Sequence, residues 1–279
     1  MSQLSDPEYL SKQYRTASNL NARIELHRRF STNPYGWHRW IFDQFHLAAD
    51  CRILELGCGP ADLWLENLER IPPGWQITLS DFSPGMVQEA QKQLSNSKHP
   101  FSFKVIDAQK IPLPDAHLDA VIANHMLYHV PDRPQALREI HRVLKPGACL
   151  YASTVGKNHM KESLELAATM LSSGVNAGRT GGDAKNELPP VPFTLENGAE
   201  QLAPWFGPIT LHRYPDELVV TESEPFMAYI LSGIAQRAAV PADKLDKLRH
   251  YVENEIARHS AIHITKDSGL FVATRKETL

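Results

Sequence analysis

The sequence predicts an α/β fold built on a parallel sheet, and three observations lead to that prediction. From Arg52 to Ser153, short β-rich runs alternate with amphipathic stretches, as they do in βαβ units. The β-rich runs are apolar enough to be covered by helices on both faces. A chain of 279 residues also has the length to bury a full core without disulfides or metals. The predicted strands are Arg52–Leu56, Gln76–Ser80, Phe101–Ile106, Leu118–Ala123 and Ala148–Ser153.

Two of the stretches between these strands carry clear signals for the start of a helix. In SPGMVQEAQKQL, Ser83 is placed as the N-cap and Pro84 at the first helical position, where its missing N–H is harmless. In DRPQALREIHRVL, Asp132 is placed as the cap, with Gln135 three residues further on. The sequence KPG at 145–147 then stops this second helix. Its predicted buried stripe is Leu137, Ile140, Val143 and Leu144.

The regions outside the alternating pattern predict further parts around this core. Trp37 and Trp40 follow a helical spacing that favours packing against the sheet, while STNPYG at 31–36 fits a turn and a lid equally well. The stretch 172–192 is rich in Gly, Pro and Asn and lacks periodicity, which is typical of a mobile lid. The predicted division is a helical N-terminal cover at 1–50, a cofactor-binding α/β core at 51–155, a mobile lid segment at 156–193, and the C-terminal part of the sheet at 194–279 with a helical insertion at 222–260.

The C-terminal part of the chain predicts one helix and two further β-rich runs. FTLENGAEQLAPWF predicts a helix, and ITLHRYPDELVV predicts a single strand. IHITKDSGLFVATRK predicts either a closing strand or a hairpin that turns at Asp267, Ser268 and Gly269.

Composition limits the compartment and the partners of the protein. Its three cysteines form no CxxC pair, and the N-terminus lacks the basic and apolar regions of a secretory signal, so we expect a cytoplasmic location. The net charge of −3 disfavours nucleic acid as a partner, because DNA- and RNA-binding proteins usually carry a basic excess. No apolar run approaches the ~18 residues that a membrane span requires. We therefore expect a small-molecule substrate and leave the oligomeric state open.

The sequence ILELGCGPADLW, which follows the first β-rich run, predicts a ligand-binding loop. Gly57 and Gly59 stand where a parallel strand turns into a helix, and their missing Cβ atoms let a ligand approach the backbone. A dinucleotide fingerprint would have a third glycine at position 62, where this chain has Asp62, and no GK[ST] sequence is present. Asp81 ends the second strand about 20 residues further on, where an acid would meet a ribose diol. The loop therefore favours a nucleoside without a phosphate chain.

Five segments in succession resemble the class I S-adenosylmethionine-dependent methyltransferases. They are ELGCGPA at 55–61, the acid at Asp81, VIDAQKIPLPD at 105–115, LDAVIANHMLYHV at 118–130 and RVLKPGA at 142–148. The resemblance covers roughly residues 50 to 155 and is closest to the small-molecule, methyltransferase type 11-like group, which includes quinone-biosynthesis enzymes. It implies a Rossmann-like seven-stranded sheet whose last strand runs antiparallel, with S-adenosyl-L-methionine as the cofactor above strands one to four. Two departures are Ala61 and Ala148, where the family often has glycine.

The resemblance also implies which residues bind the cofactor. Gly57 and Gly59 would pass the methionine moiety, and Asp81 would accept both ribose hydroxyls. Asn124 would offer its backbone carbonyl beside the methionine ammonium. Phe82 and Met86 would flank the adenine, whose amino edge would meet Asp107 and Ala108. The full implied set is Glu55, Gly57, Cys58, Gly59, Asp81, Phe82, Met86, Asp107, Ala108 and Asn124.

The candidate catalytic residues are the two histidines of the HMLYH sequence. A weak nucleophile needs a base to receive its methyl group, and histidine titrates near neutral pH. His129 is the first candidate and His125 the second, because both follow the fourth strand; either could instead be a hydrogen-bonded structural residue. His27, Tyr35 and His38 of the N-terminal cover are further choices.

The other chemistries that the sequence could support are disfavoured. The i, i+4 spacing of His125 and His129 could suit a metal, but the chain has no HExxH sequence and no identifiable third ligand, so we expect no metal. Cys58 has no resolving cysteine and is expected to be inert. The alternatives to a methyltransferase are a repurposed or non-catalytic S-adenosylmethionine-binding protein and, opposed by Asp62, a dinucleotide-dependent oxidoreductase.

Overall fold

The computed structural model of the chain describes residues 18–172, 191–234 and 241–277. The predicted lid at 172–192 therefore lies almost entirely outside the described residues. Within the described part of the chain, no helix is both long and apolar enough to cross a membrane.

Nine strands and nine α-helices are defined in the described residues. The strands are β1 (Arg52–Leu56), β2 (Gln76–Asp81), β3 (Phe101–Val105), β4 (Leu118–Asn124), β5 (Leu144–Val155), β6 (Phe206–Tyr214), β7 (Glu217–Val220), β8 (Ile262–Thr265) and β9 (Ser268–Arg275). The helices are α1 (Ser18–Phe30), α2 (Trp37–Asp43), α3 (Asp62–Leu65), α4 (Pro84–Gln93), α5 (Arg133–Val143), α6 (Lys161–Ser172), α7 (Gly198–Leu202), α8 (Ser223–Ile234) and α9 (Ala242–His259). Two short 3₁₀ helices lie at Leu68–Arg70 and Leu127–His129.

The central sheet has seven strands in the order β3-β2-β1-β4-β5-β9-β6. The first five strands in this order run parallel, and β9 is antiparallel to both of its neighbours. This confirms the predicted Rossmann-like α/β fold with an antiparallel last strand. Since the parallel strands all end at one edge, the loops that follow β1, β2 and β4 lie side by side at that edge.

The predicted caps of the two core helices are confirmed. The Ser83 side chain accepts a hydrogen bond from the backbone N–H of Met86, and Asp132 accepts one from Gln135. The predicted apolar stripe of α5 is fully buried in the core on one face of the sheet. A second core, which contains Trp64 and Tyr151, covers the opposite face. Helices therefore shield both faces of the sheet, and its carboxyl edge is left for ligands.

Three sequence predictions about strands are corrected by the structure. β5 begins at Leu144 rather than at Ala148, because Leu144 pairs with Leu118 across a register shift. The run predicted as one strand is divided at 215–216 into β6 and β7, which lie in different sheets. The hairpin alternative is wrong, because β8 pairs with β7 while β9 inserts between β5 and β6.

A second, smaller unit stands beside the carboxyl edge of the sheet. β7 and β8 form a two-stranded antiparallel sheet, and a third apolar core joins it to α1, α8 and α9. The buried members of this core include Leu26, Phe226 and Val252. The N-terminal helix α1 thus packs against C-terminal elements, and together they form a cover over the site end of the sheet.

The turn at 31–34 is tied to this cover by Asp216. The Asp216 carboxylate accepts hydrogen bonds from the Ser31 hydroxyl at 2.7 Å and from the Asn33 backbone N–H at 3.1 Å, and it also pairs with the Lys266 ammonium. The side chain of Asp216 is fully buried, and burial alone would raise its pKa. The bonds from Lys266 and Ser31 outweigh burial and lower that pKa, so the carboxylate stays charged. These contacts favour a fixed turn over a moving lid.

Candidate functional site

The loop after β1 has the backbone conformation that its glycines permit. Gly57 has a φ of +69°, and a Cβ at this position would lie 2.8 Å from the Cβ of Met126. Gly59 has a φ of +53°, but a Cβ there would meet no atom of the described residues within 4 Å. Gly57 is therefore required by a neighbouring loop, whereas Gly59 stands beside open space that a ligand can fill.

Asp81 fastens this loop to the end of β2. Its Oδ2 accepts a hydrogen bond from the Gly59 backbone N–H at 3.1 Å, and its Oδ1 accepts one from the Ser83 N–H at 2.8 Å. Burial raises the pKa of the Asp81 carboxyl, although the bonds from Ser83 and Gly59 oppose the rise. Asp81 thus has a structural role in shaping the loop, besides the ribose contact that the resemblance implies.

Glu55 and Asn124 form a buried polar pair beneath the loop. Glu55 Oε2 accepts a hydrogen bond from Trp64 Nε1 at 2.6 Å, and its Oε1 accepts one from Asn124 Nδ2 at 3.3 Å. Burial raises the pKa of Glu55 to about 7, against the effect of both bonds. The Oδ1 atom of Asn124 is buried and accepts no hydrogen bond from the described residues. Because an unmade bond to a buried acceptor costs about 1 to 3 kcal/mol, a ligand ammonium suits this position.

The residues implied for the adenine end lie after β2 and β3. Phe82 is 60 % exposed, and Val105, which the sequence prediction missed, is 53 % exposed. Met86 and Ala108 are buried. Asp107 accepts hydrogen bonds from the backbone and the side-chain amide of Gln109, each at 2.9 Å. Two exposed apolar side chains on neighbouring strand ends offer a surface on which an aromatic base can stack.

Cys58 shows no sign of reactivity. Its side chain is buried, and burial raises the pKa of the thiol far above its usual range. The protein therefore holds Cys58 as a neutral thiol, which is a poor nucleophile.

His125 occupies the turn directly after β4. Its φ is +48°, and its backbone N–H is held by the Ser153 carbonyl at 3.2 Å and by the Ser153 hydroxyl at 3.1 Å. Its ring lies 5.1 Å from the Trp37 ring, so α2 closes over it. Burial, together with the charges of neighbouring groups such as His159, lowers the pKa of His125 to about 3. His125 is therefore a weak base.

The other candidate bases lie at different places in the structure, and each has its own neighbours. His129 lies in the 3₁₀ helix after β4, partly buried, with its ring 4.5 Å from that of Tyr128. Tyr35 is exposed and donates its hydroxyl proton to Asp43 at 2.6 Å. His38 Nδ1 lies 2.9 Å from Glu66. The His27 ring stacks on that of His159, with 6.1 Å between the ring centroids.

Two residues near this site were missed by the sequence prediction, namely His159 and Lys266. His159 follows β5 in the turn before α6, and Lys266 lies between β8 and β9. Both turns lie at the same edge of the sheet as the end of β4, because β4 pairs with β5 and the end of β5 pairs with the start of β9. Both residues also contribute to the lowered pKa of His125. A lone histidine in a loop and a lysine between two strands carry no sequence signal, because only the sheet order brings them together.

The cofactor loop gives a direct prediction. We expect Asp81→Asn to weaken the binding of S-adenosylmethionine by about 2 kcal/mol, because a charged acceptor of hydrogen bonds is replaced by a neutral amide. Gly59→Asn should weaken it as well, because asparagine tolerates a positive φ and its side chain would fill the open space. Calorimetric titration measures both affinities. Unchanged affinity in both variants, with unchanged melting temperatures, would contradict the placement of the cofactor.

Comparison with known proteins finds relatives of the part of the chain that forms this site. A methyltransferase-domain family profile matches residues 54–152. The chain is 33% identical over 122 residues to the demethylmenaquinone methyltransferase of Symbiobacterium thermophilum, which covers 42% of this chain and 49% of the relative. It is 32% identical over 125 residues to the ubiquinone/menaquinone biosynthesis C-methyltransferase UbiE of Desulfotalea psychrophila, which covers 44% and 50%. The chain thus spans about half the length of the curated relatives that it matches.

Solved structures show the same fold over a longer range. The structure of the cyclase SpnF matches with a TM-score of 0.58 at 19% identity, over 100% of this chain and 98% of that one. The Haemonchus contortus phosphoethanolamine N-methyltransferase 2 in complex with S-adenosyl-L-methionine also matches with a TM-score of 0.58, at 16% identity, over 99% of this chain and 61% of that one.

The sheet order and the site loops define the class I Rossmann-like methyltransferase fold. Residues 54–152 of this chain match the methyltransferase-domain profile, in agreement with the S-adenosylmethionine-dependent family that their sequence resembles.

Proposed function

We propose that this protein transfers the methyl group of S-adenosylmethionine to a small-molecule acceptor of the kind found in quinone biosynthesis. The names of the curated relatives are those of methyltransferases of quinone biosynthesis, and the net charge of −3 disfavours nucleic acid as the substrate.

We further propose a cytoplasmic location and the division into a cover at 1–50, a core at 51–155, a lid segment at 156–193 and a C-terminal part at 194–279.

The main support for this proposal is that Asn124 and His125 follow one another at the end of β4. The unsatisfied Oδ1 of Asn124 suits the ammonium of the cofactor, and Glu55 beside it suits the same positive charge. The next residue, His125, opens onto the region covered by α2. Two adjacent residues thus separate a cofactor side from an acceptor side.

The chemistry of methyl transfer places few demands on the protein. The sulfonium of the cofactor supplies an activated methyl group, so the chain has to align the acceptor and exclude water. Trp37 of α2 lies against His125 and stacks on Trp40, while the bonds of Asp216 hold the adjoining turn in place. We propose that α2 and this turn hold the acceptor in place and shield it from water.

We propose that His129 removes the proton from the acceptor, with His125 as the second choice. The lowered pKa of His125 makes it a weak base at neutral pH. His129 lies four residues after it and is partly buried in the 3₁₀ helix. For the other residues that the resemblance implies for cofactor binding, we propose the cofactor contacts that it implies.

The test combines binding with turnover. We expect calorimetry to show binding of S-adenosylmethionine and S-adenosylhomocysteine but not of NADH. We also expect methyl-labelled cofactor to transfer its label to reduced naphthoquinones such as 1,4-dihydroxynaphthalene, or to a component of a metabolite extract. Cofactor binding without any labelled product would favour the non-catalytic alternative, since a fold can persist after its chemistry is lost.

A further inference from the structure

The first residue of α5, Arg133, places a guanidinium at the carboxyl edge of the sheet. The residue is only 9 % exposed, and its guanidinium carbon lies 6.0 Å from the centre of the Phe193 ring. The Phe193 carbonyl accepts a hydrogen bond at 2.7 Å from the hydroxyl of Thr154, near the end of β5. Helix α5 itself follows the 3₁₀ helix that comes after β4. The guanidinium therefore lies between the segment that follows β4 and the end of β5.

No acidic side chain of the described residues pairs with this guanidinium. The Nε atom of Arg133 is buried and has no hydrogen-bond partner among them. The neighbouring carboxylate of Asp132 accepts a hydrogen bond from the Gln135 backbone N–H, and Glu139 pairs with Arg142. Burial lowers the pKa of Arg133, and no carboxylate in the described part of the chain acts against that effect. The side chain nevertheless stays protonated, as arginine does in proteins.

A guanidinium in this position lacks the counter-charge that a buried cation requires. A charge that is removed from water is normally paired with an opposite charge, because its lost hydration is not otherwise recovered. The face of the Phe193 ring attracts the cation but does not neutralise it. Of the three guanidinium nitrogens only Nε is fully shielded, so Nη1 and Nη2, which also have no partner among the described residues, are accessible. Accessible, paired N–H groups of this kind are the fork with which arginine binds an anion.

The position of Arg133 separates it from the carboxylate of the cofactor. The methionine moiety of S-adenosylmethionine is expected at the loop after β1, and the sheet order places β1 and β5 on opposite sides of β4. Arg133 lies on the side of β5. The acceptor, which has to approach the methyl group from the side away from the sulfur, is the ligand left for this position.

We propose that Arg133 binds a carboxylate of the methyl acceptor. The two oxygens of a carboxylate accept from two N–H groups of one guanidinium in a planar pair. No second cation of the described residues contributes to the lowered pKa of Arg133, so a single positive charge is available, which matches a carboxylate better than a doubly charged phosphate. This inference rests on the proposed function and adds an acidic group to the acceptor.

The anion site can be tested without knowledge of the acceptor. Benzoate is titrated into the full chain saturated with S-adenosylhomocysteine, and benzamide, which has the same shape without the charge, is the matched probe. We expect calorimetry to show that benzoate binds about 10-fold more tightly than benzamide. Arg133→Met should remove this difference, because methionine keeps a contact with the aromatic ring but has no N–H groups. Arg133→Lys should keep part of it, since the charge remains.

The control variant is Arg138→Met, on the same helix. The Arg138 guanidinium is exposed and donates to Gln135, so its loss should leave the preference for benzoate unchanged. Equal affinity of the wild type for benzoate and benzamide, or a preference that survives in Arg133→Met, would overturn the carboxylate site. Inorganic phosphate that binds through Arg133 more tightly than benzoate would overturn the choice of a carboxylate.

Thermal unfolding without any ligand gives a second readout. The melting temperature of Arg133→Met should equal or exceed that of the wild type, because the variant removes a buried charge that has no ion partner. A clearly lower melting temperature, together with no preference for benzoate in the wild type, would mean that an acid of the chain itself pairs with the guanidinium. That result would overturn the proposal.

Turnover separates this inference from the function on which it rests. With methyl-labelled cofactor, Arg133→Met should raise the KM for 1,4-dihydroxy-2-naphthoate about 10-fold and leave that for 1,4-dihydroxynaphthalene unchanged. Its affinity for S-adenosylmethionine should also stay unchanged. A loss of that affinity would show that the guanidinium binds the cofactor and would overturn the inference. Failure of methyl transfer to every acceptor, with the preference for benzoate intact, would instead overturn the proposed function.

Discussion

His129→Asn is expected to lower the turnover of methyl transfer by a factor of about 10² to 10⁴, which is the usual contribution of a general base. The affinity for S-adenosylmethionine should stay unchanged, because His129 is not among the residues that the resemblance implies for cofactor binding. The acid limb of the pH–rate profile should also disappear, since that limb reports protonation of the base. The measurement is initial rate against pH with 1,4-dihydroxynaphthalene as the acceptor.

His125→Asn is the matched comparison for this prediction. Because burial lowers the pKa of His125 to about 3, its loss should reduce turnover less than the loss of His129 does. A lower melting temperature with near-normal turnover would identify a histidine as structural. If both variants turn over at the wild-type rate, then neither histidine is the base, and alignment alone drives the transfer.

Acidification from pH 7 to pH 5 is expected to destabilise the fold by about 3 kcal/mol. The pKa values of His27, His125 and His159 are lowered to about 3 in the folded protein, and the unfolded chain takes up protons near pH 6.5. The stability that these neutral rings contribute is therefore complete above pH 6.5 and is lost as the pH falls towards 3. Each contributes up to about 1.4 kcal/mol per pH unit in that interval.

Glu55 opposes this loss. Its pKa is raised to about 7, so the folded protein binds a proton there that the unfolded chain does not hold above pH 4.5. Its contribution grows as the pH falls from 7 to 4.5 and cancels roughly one of the three histidines. Unfolding near pH 5.5 should therefore take up about two protons in total.

Denaturant unfolding at a series of pH values measures this dependence. His159→Asn should reduce the slope by about one proton, whereas replacement of the exposed His263 by Gln should leave it unchanged. A free energy of unfolding that stays constant between pH 7 and pH 5 would contradict the prediction.

Local signals in the sequence were enough to predict the core of the fold. Ser83 and Asp132 mark helix starts by side-chain hydrogen bonds to residues three positions away, and both caps form as expected. The glycines at 57 and 59 mark a sharp turn, and both adopt positive φ. Such features depend on a few neighbouring residues, so a single sequence reveals them.

The missed features depend on contacts between distant parts of the chain. β7 and β8 are separated by two helices and pair only because a shared apolar core brings them together. His27 and His159 lie 132 positions apart in number and meet only after α1 docks on the cover. ITLHRYPDELVV is likewise divided at 215–216 because its first part pairs with β9 in the central sheet, whereas its second part pairs with β8 in the small sheet.

The position of β9 has a consequence for the order in which the molecule is assembled. β6 reaches the central sheet only through β9, which is made after the whole of the cover. During synthesis, the residues of β6 must therefore wait for those of β9 before they can pair, while β5 exposes an open edge. Such long-range closure slows folding and leaves a strand edge available to other chains. Closure of the sheet, rather than formation of the cofactor loop, is thus the step at which a nascent chain is most exposed to aggregation.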